Sequence, residues 1–415
     1  MLIRNCIRTV TLMMIFGFTL QSPGEALSPQ QEIDQQVPAA LKIIDAWQNI
    51  KPEAGVRNLN VVYWTPSDRE PQPKYQERLS ALLLDIQSFY RREMKRNGFG
   101  ERTVQFQMAD EKLIKIHVVK SSKPYKEFKT ESGRAIRTEC IPFLKQAGID
   151  ADKETIVIFC NMSNYDEKAA TINQNSPYYA GGGKRGGTAW QVDSAILNLD
   201  LLDKKEPVVR DGQYGKISVG RYNTIFIGGV CHELGHAISL PHNAARPDQA
   251  ALWGTSLMGS GNRTYGEERR GEGKGSFLVL ADALRLATHP MFCGSIKGID
   301  QKPQVKLDDI KCTPGNNSLT VTAKVVADPP AYAVIAYTDP EGHGDYDSTT
   351  ATAIPDATGN ITLNCNTLKK GKGELRLVVL NASGSNIGDR HYLANYTVAD
   401  DGTVKMDAAT TKPVK

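Results

Sequence analysis

Residues 232–242 read His-Glu-Leu-Gly-His-Ala-Ile-Ser-Leu-Pro-His, and no other stretch dictates so much about the structure around it. Three of the chain's seven histidines fall inside it. His232 and His236 are four apart, so on a helix their side chains leave one face a turn apart and can reach one small ion. Glu233 stands beside them, placed to take a proton from a water polarised by that ion. For His242 to swing back as a third ligand the helix has to end, and Ser239 and Pro241 fall where that stop is needed.

The periodicity predicts the helix over residues 223–239. Ile227, Cys231, Leu234 and Ile238 form one apolar stripe at steps of four, three and four, and the histidines occupy the next stripe. One side of the helix then anchors in a core while the other presents ligands to a cleft, which makes Cys231 a packed residue rather than a reactive one. Three neutral imidazoles leave a zinc ion its full charge and an open position for water. Such an ion lowers the water's pKa and polarises a scissile carbonyl, with Glu233 as general base and then as proton donor to the leaving amine.

A chain of 415 residues is long for a single core, which argues for two domains behind any leader. With 40% hydrophobic and 23% charged residues it has the composition of a soluble globular protein. The net charge of +4 comes from basic residues scattered among acidic ones, so no nucleic-acid footprint is visible. Arg4 and Arg8 precede an apolar run over residues 10–20 and a small-residue exit ending at Ala26. That pattern predicts a signal peptide over residues 1–26 and a secreted, periplasmic or extracellular protein, because the run is about half of what spans a bilayer. No stable membrane insertion is expected. Beyond the leader remain Cys140, Cys160, Cys231, Cys293, Cys312 and Cys365, an even number that permits disulfides. Cys312 with Cys365 is the first pair to expect.

Along the chain, residues 27–56 form an N-terminal segment too short for a folded pro-domain. Strands are expected over residues 59–64, 103–106, 112–119 and 155–160, and helices over residues 75–96 and 135–146. Their order suggests an α/β layer with a mixed sheet. The glycine-rich segment 181–187 lacks the spacing of a phosphate loop, since Lys184 is followed by Arg185, and it leads into strands at residues 188–192 and 195–199. A helix is expected over residues 277–288. His117 reads as a strand residue, and His289, His343 and His391 as surface or loop positions. After a turn-rich linker at residues 294–304, short alternating segments at residues 319–326, 332–337, 361–364, 375–380 and 392–398 read as an immunoglobulin- or fibronectin-like sandwich over residues 305–400. Residues 401–415 read as a disordered tail.

The window resembles the signature of the metzincin clan of zinc endopeptidases, HExxHxxGxxH followed by a methionine turn. His232, Glu233, His236 and His242 match, and Thr255-Ser256-Leu257-Met258-Gly259-Ser260 stands where the Met-turn belongs. The resemblance implies an α+β zincin-like catalytic domain over residues 57–293, with a mixed twisted sheet and an active-site helix. It also implies one catalytic Zn2+ and a hydrophobic floor under it made by Met258. An edge strand near residues 181–192 would hold a peptide substrate as an added antiparallel strand. Tyr265 is a candidate auxiliary donor or ligand on the same resemblance. The chain departs from the pattern at Ser239, where the family has glycine to turn with positive φ, and a serine there costs roughly 1 kcal/mol.

The function expected from these residues is a secreted zinc-dependent endopeptidase acting on protein or peptide, with the C-terminal sandwich docking a surface or substrate. One alternative keeps the pentad but takes a distant glutamate as third ligand, as gluzincins do, with Glu267, Glu268 and Glu272 as candidates. The other is an adhesion or glycan-binding protein whose metal site is vestigial.

Overall fold

The computed structural model describes residues 27–385 and 390–407, so the leader at residues 1–26 and the last positions of the tail lie outside the described residues. The first element is a helix that the sequence reading did not expect: α1, Pro29–Gln48. Ser28 and Gln31 form a reciprocal capping box, and Ile33, Val37, Ala40 and Ile44 repeat at helical spacing as its buried face.

The first layer is a five-stranded sheet with helices on it. It is built from β1 (Asn60–Thr65), α2 (Tyr75–Arg96), β2 (Ile116–Lys120), α3 (Gly133–Gln146) and β3 (Thr155–Cys160). β3 is Thr-Ile-Val-Ile-Phe-Cys, β-branched over its first four residues and buried along its whole length, as suits a strand covered on both faces. The segment 103–106, expected as a strand, contributes only an isolated bridge from Phe106 to Leu59. A small sheet branches off with β4 (Ser163–Asp166) and β5 (Thr171–Gln174), and the main sheet then ends on the hairpin β6 (Tyr179–Gly182) and β7 (Gly187–Val192). The order is β2-β1-β3-β7-β6, parallel except for β6, which runs antiparallel at the edge. The strand expected over residues 195–199 is absent; Asn198 caps a single 3-10 turn there, because its side chain takes the Asp200 amide.

β8 (Val208–Asp211) and β9 (Gly215–Ser218) complete the small sheet and lead into α4, Val219–Ala237, which carries the histidines. Ser218 caps its first turn by accepting the Arg221 amide. The predicted stripe of Ile227, Cys231, Leu234 and Ile238 is fully buried. Past the site come α5 (Pro247–Trp253), the short parallel pair β10 (Thr255–Ser256) and β11 (Ser276–Phe277), α6 (Leu280–Ala287) and α7 (Pro290–Cys293). His289, expected at the surface, is buried at the N-cap of α7, where its Nδ1 accepts the Met291 amide at 3.3 Å.

The second domain is two antiparallel sheets. One joins β12 (Gln304–Gly315), β13 (Ser318–Asp328) and β16 (Asn360–Cys365). The other joins β14 (Ala331–Pro340), β15 (Thr349–Ala353), β17 (Gly371–Asn381), β18 (Tyr392–Val398) and β19 (Val404–Met406) in the order β15-β14-β17-β18-β19. β19 pairs with β18, so residues 404–406 are ordered strand where a disordered tail was expected. The six cysteines among the described residues are free thiols. The expected Cys312–Cys365 bridge fails on geometry: β13 lies between their strands, with Val321 opposite Cys312 and Leu319 opposite Cys365. Two strand spacings are about 9–10 Å, beyond what a disulfide spans.

The two domains share a core. Tyr332, Ala333, Ile335 and Tyr337 of β14 and Val378 and Leu380 of β17 belong to the same buried cluster as α1, α2, α4 and α6. A second cluster, with Leu319, Val321, Leu363, Leu375 and Leu377, fills the space between the two sheets. α1 ties the parts further: Glu32 accepts both contacts from Arg246 at 3.0 Å, and Lys297 sits 4.3 Å over the Trp47 ring.

Candidate metal centre

α4 ends at Ala237, and the chain reverses through Ser239, whose φ is +79°. The positive φ expected where the metzincin pattern has glycine is therefore present, carried by a serine. The reversal is closed by the Leu240 amide on the Gly235 carbonyl at 2.9 Å, a helix-terminating bond of the Schellman kind. It returns His242 to the histidine face of the helix.

The three rings converge. His236 Nε2 lies 3.1 Å from His232 Nε2 and 3.0 Å from His242 Nε2. Three nitrogens about 2.0–2.1 Å from one tetrahedral zinc stand roughly 3.3 Å apart, so the donor set fits such an ion with little movement. Burial, reinforced by the neighbouring imidazoles, holds His232 down to about 3 and His242 to about 4, and burial lowers His236 as well. The rings are therefore neutral at neutral pH, as metal ligands have to be. His232 Nδ1 meets the Leu257 carbonyl at 2.7 Å and His236 Nδ1 the Leu240 carbonyl at 2.8 Å, which turns both Nε2 atoms toward the common point. Among the described residues this trio is the one cluster of histidine, cysteine and carboxylate side chains close enough to share a metal ion.

Glu233 is half-buried on the same helix, and burial pushes its carboxyl up to about 7. Burial raises the phenols of Tyr178, on the strand side, and Tyr346, from the second domain, and the nearby Glu233 charge adds to it in both. Met258 is fully buried under the site. A Cβ added to Gly235 would stand 2.5 Å from the Met258 sulfur, so the thioether presses on the helix backbone between the two first histidines. Asn243, directly after His242, is fixed by two buried side chains: its amide donates to Asp282 at 2.7 Å and its oxygen accepts from Ser256.

The sheet edge lies against the same helix end. Added Cβ atoms on Gly182 and Gly187 would sit 2.2 Å and 2.0 Å from the Ala237 carbonyl, so only glycines let the β6–β7 hairpin approach this closely. Between that hairpin and the histidines opens a cavity of about 630 Å³, bordered by Gly182, Lys184, His236, His242, Arg285 and Ser385.

Other sequence candidates lie elsewhere. Tyr265 is buried behind α4, with its hydroxyl on Asp85 at 2.7 Å and its ring 5.5 Å from Phe89. The turn at residues 261–263 carries the chain under the helix, and Tyr265 packs against Gly228, away from the ligand face. Glu267 faces Arg221 at 3.5 Å and Glu272 pairs with Arg270 at 2.8 Å. Arg221 and His232 are eleven residues apart on α4, and at 1.5 Å per residue the pair is separated by about 16 Å. Neither glutamate joins the histidine cluster, and Glu268, on the same 3-10 turn as Glu267, does not either.

Sequence reasoning missed Tyr346, whose ring stacks on His242 with centroids 3.7 Å apart. It lies in a turn-rich loop of the second domain, and its sequence neighbourhood carries no mark of a metal site.

A mixed α/β domain bearing a three-histidine metal pocket, followed by a β-rich domain, is the class that fold and site define. No protein-family description matches the sequence, and no curated protein matches it either. Among solved structures the chain is similar to OgpA from Akkermansia muciniphila. Catalytically inactive OgpA, in complex with an O-glycopeptide (glycodrosocin) substrate, aligns with a TM-score of 0.69 and 24% identity over 86% of this chain and 97% of that one. Wild-type OgpA aligns with a TM-score of 0.69 and 25% identity, covering 86% and 98%. The likeness spans both domains, and at such identity it is a likeness of fold.

Proposed function

We propose that this chain is an exported zinc-dependent endopeptidase of metzincin-like build, with a zincin-like catalytic domain and an immunoglobulin- or fibronectin-like second domain. The observation that carries the reading is the convergence of three neutral Nε2 atoms at the end of the helix that carries Glu233, with His236 and His242 bordering an open cavity. His232, His236 and His242 would hold the zinc, and Met258 would form its apolar floor. Bound there, the ion supplies Lewis-acid activation of water and of the scissile carbonyl.

The chain's own groups do the rest. Glu233 takes the proton from the attacking water and hands it to the departing amine, and a carboxyl held near neutrality suits both transfers. β6 is an edge strand with open backbone, on which a peptide can lie antiparallel and bring its scissile bond over the histidines. Gly181 and Gly183 put no side chain in the way. The substrate in the OgpA complex is an O-glycopeptide, which supports polypeptides bearing O-glycans as the first substrate class to try.

The test is hydrolysis of matched peptides with and without an O-glycan, followed by mass spectrometry, for the chain and for Glu233→Ala. The expected result is cleavage by the chain alone, with zinc retained by both proteins. Cleavage by the variant would sink the role of Glu233, and an unmodified chain that retains no zinc would sink the whole reading.

A further inference from the structure

We propose that the second domain is part of the metal centre itself: the loop 341–348 between β14 and β15 holds His242 in its ligand position, through the Tyr346 ring. The inference rests on the zinc reading above. A histidine ligand is oriented by whatever its second nitrogen meets, and His232 and His236 find carbonyls of the catalytic domain, Leu257 and Leu240. His242 stands beyond the helix end, on a reversal that a serine closes with φ of +79°.

What stands against it is a ring from the second domain, that of Tyr346. Its ring lies 3.7 Å from that of His242 at an interplanar angle of 30°, and is nearly parallel, at 6°, to His232 farther off. The side chain is 50% exposed, so burial alone does not keep it there. The loop is tied at both ends of this contact. The Ser348 carbonyl accepts the Ala244 amide, two residues past His242, at 2.6 Å. Arg376 of β17 grips Asp345 at 3.0 Å and Asp339 at 3.6 Å, and Lys369 pairs with Asp347 at 3.0 Å. The contact between loop and ligand is thus a built junction of the two domains. Tyr346 is a positioning residue for the third ligand.

The experiment uses the full chain and its Tyr346→Ala, Tyr346→Phe and His242→Ala variants, loaded with zinc and titrated with a competing chelator. Tyr346→Ala should give up zinc about tenfold or more readily, the size usual for a lost outer-shell partner. Tyr346→Phe keeps the ring and should stay close to the unmodified chain, while His242→Ala should lose zinc outright. Metal-stripped Tyr346→Ala should melt where the metal-stripped chain does. Should the alanine variant not fold, Tyr346→Leu keeps the bulk without the aromatic stack and carries the same expectation. Zinc affinity unchanged in the alanine or leucine variant overturns the proposal, as does a phenylalanine variant that loses zinc like alanine. Either result leaves the zinc reading standing, whereas an unmodified chain that binds no zinc removes both.

Discussion

Ser239 adopts a backbone conformation that glycine takes without strain, at the turn that brings back His242. Replacing it by glycine exchanges that strain, about 1 kcal/mol, for a similar entropic cost in the unfolded chain. Ser239→Gly is therefore expected to hold zinc normally and to unfold within about 1 kcal/mol of the parent by denaturant titration; a larger loss would mean that the hydroxyl has a structural part. Asp282 gives a pH-dependent case. One oxygen accepts from Asn243 and the other is buried without a partner, and burial pushes the carboxyl up to about 8. The folded chain holds this proton more tightly than the unfolded one, so stability falls as pH rises from the ordinary carboxylate range toward 8. Asp282→Asn should thus gain stability relative to the parent at pH 8 and little at pH 4, read as the difference in melting temperature; a difference that does not grow with pH refutes the assignment. At this scale His232, Glu233, His236, His242 and Met258 were all legible, since helical spacing brings most of them together. Tyr346 was not, because only the docking of two domains places it there.

At the scale of elements, Arg78 in the first turns of α2 pins the sheet to the chain beyond β7. It meets Asp193 through both carboxylate oxygens at 3.0 and 3.1 Å, and also donates to the Ser194 and Leu197 carbonyls. Asp193 is fully buried, and Tyr63 gives it a further bond at 2.9 Å. Arg78→Leu strands that carboxylate and should cost about 3–5 kcal/mol in the denaturant midpoint; a loss under about 1 kcal/mol would mean that water replaces the guanidinium. Helices α2, α3 and α4 and strands β1 and β3 could be read from the sequence because each carries its apolar pattern locally. The small sheet of β4, β5, β8 and β9, and the strands β15 and β19, could not. They are four or five residues long, or three for β19, and depend on partners remote in sequence. α1 was missed because its turn-forming start, Ser28-Pro29, reads as loop until its capping box is seen.

Across the whole molecule, one apolar cluster runs from α1 through the α/β layer to β14 and β17. Heat should therefore unfold the chain in a single calorimetric transition, and two well-separated peaks would show that the shared core does not couple the domains. Zinc at a hundred times its dissociation constant should add about 2.7 kcal/mol, so chelation should lower the melting temperature and added zinc restore it. The seat of α1 is β14, at the far end of the sequence, and the loop that stacks on His242 ends only at residue 348. A ribosome that has delivered the whole histidine window has thus not yet delivered the parts that close around it. A chain released before β14 is made therefore lacks both the seat of its first helix and the ring that stacks on His242.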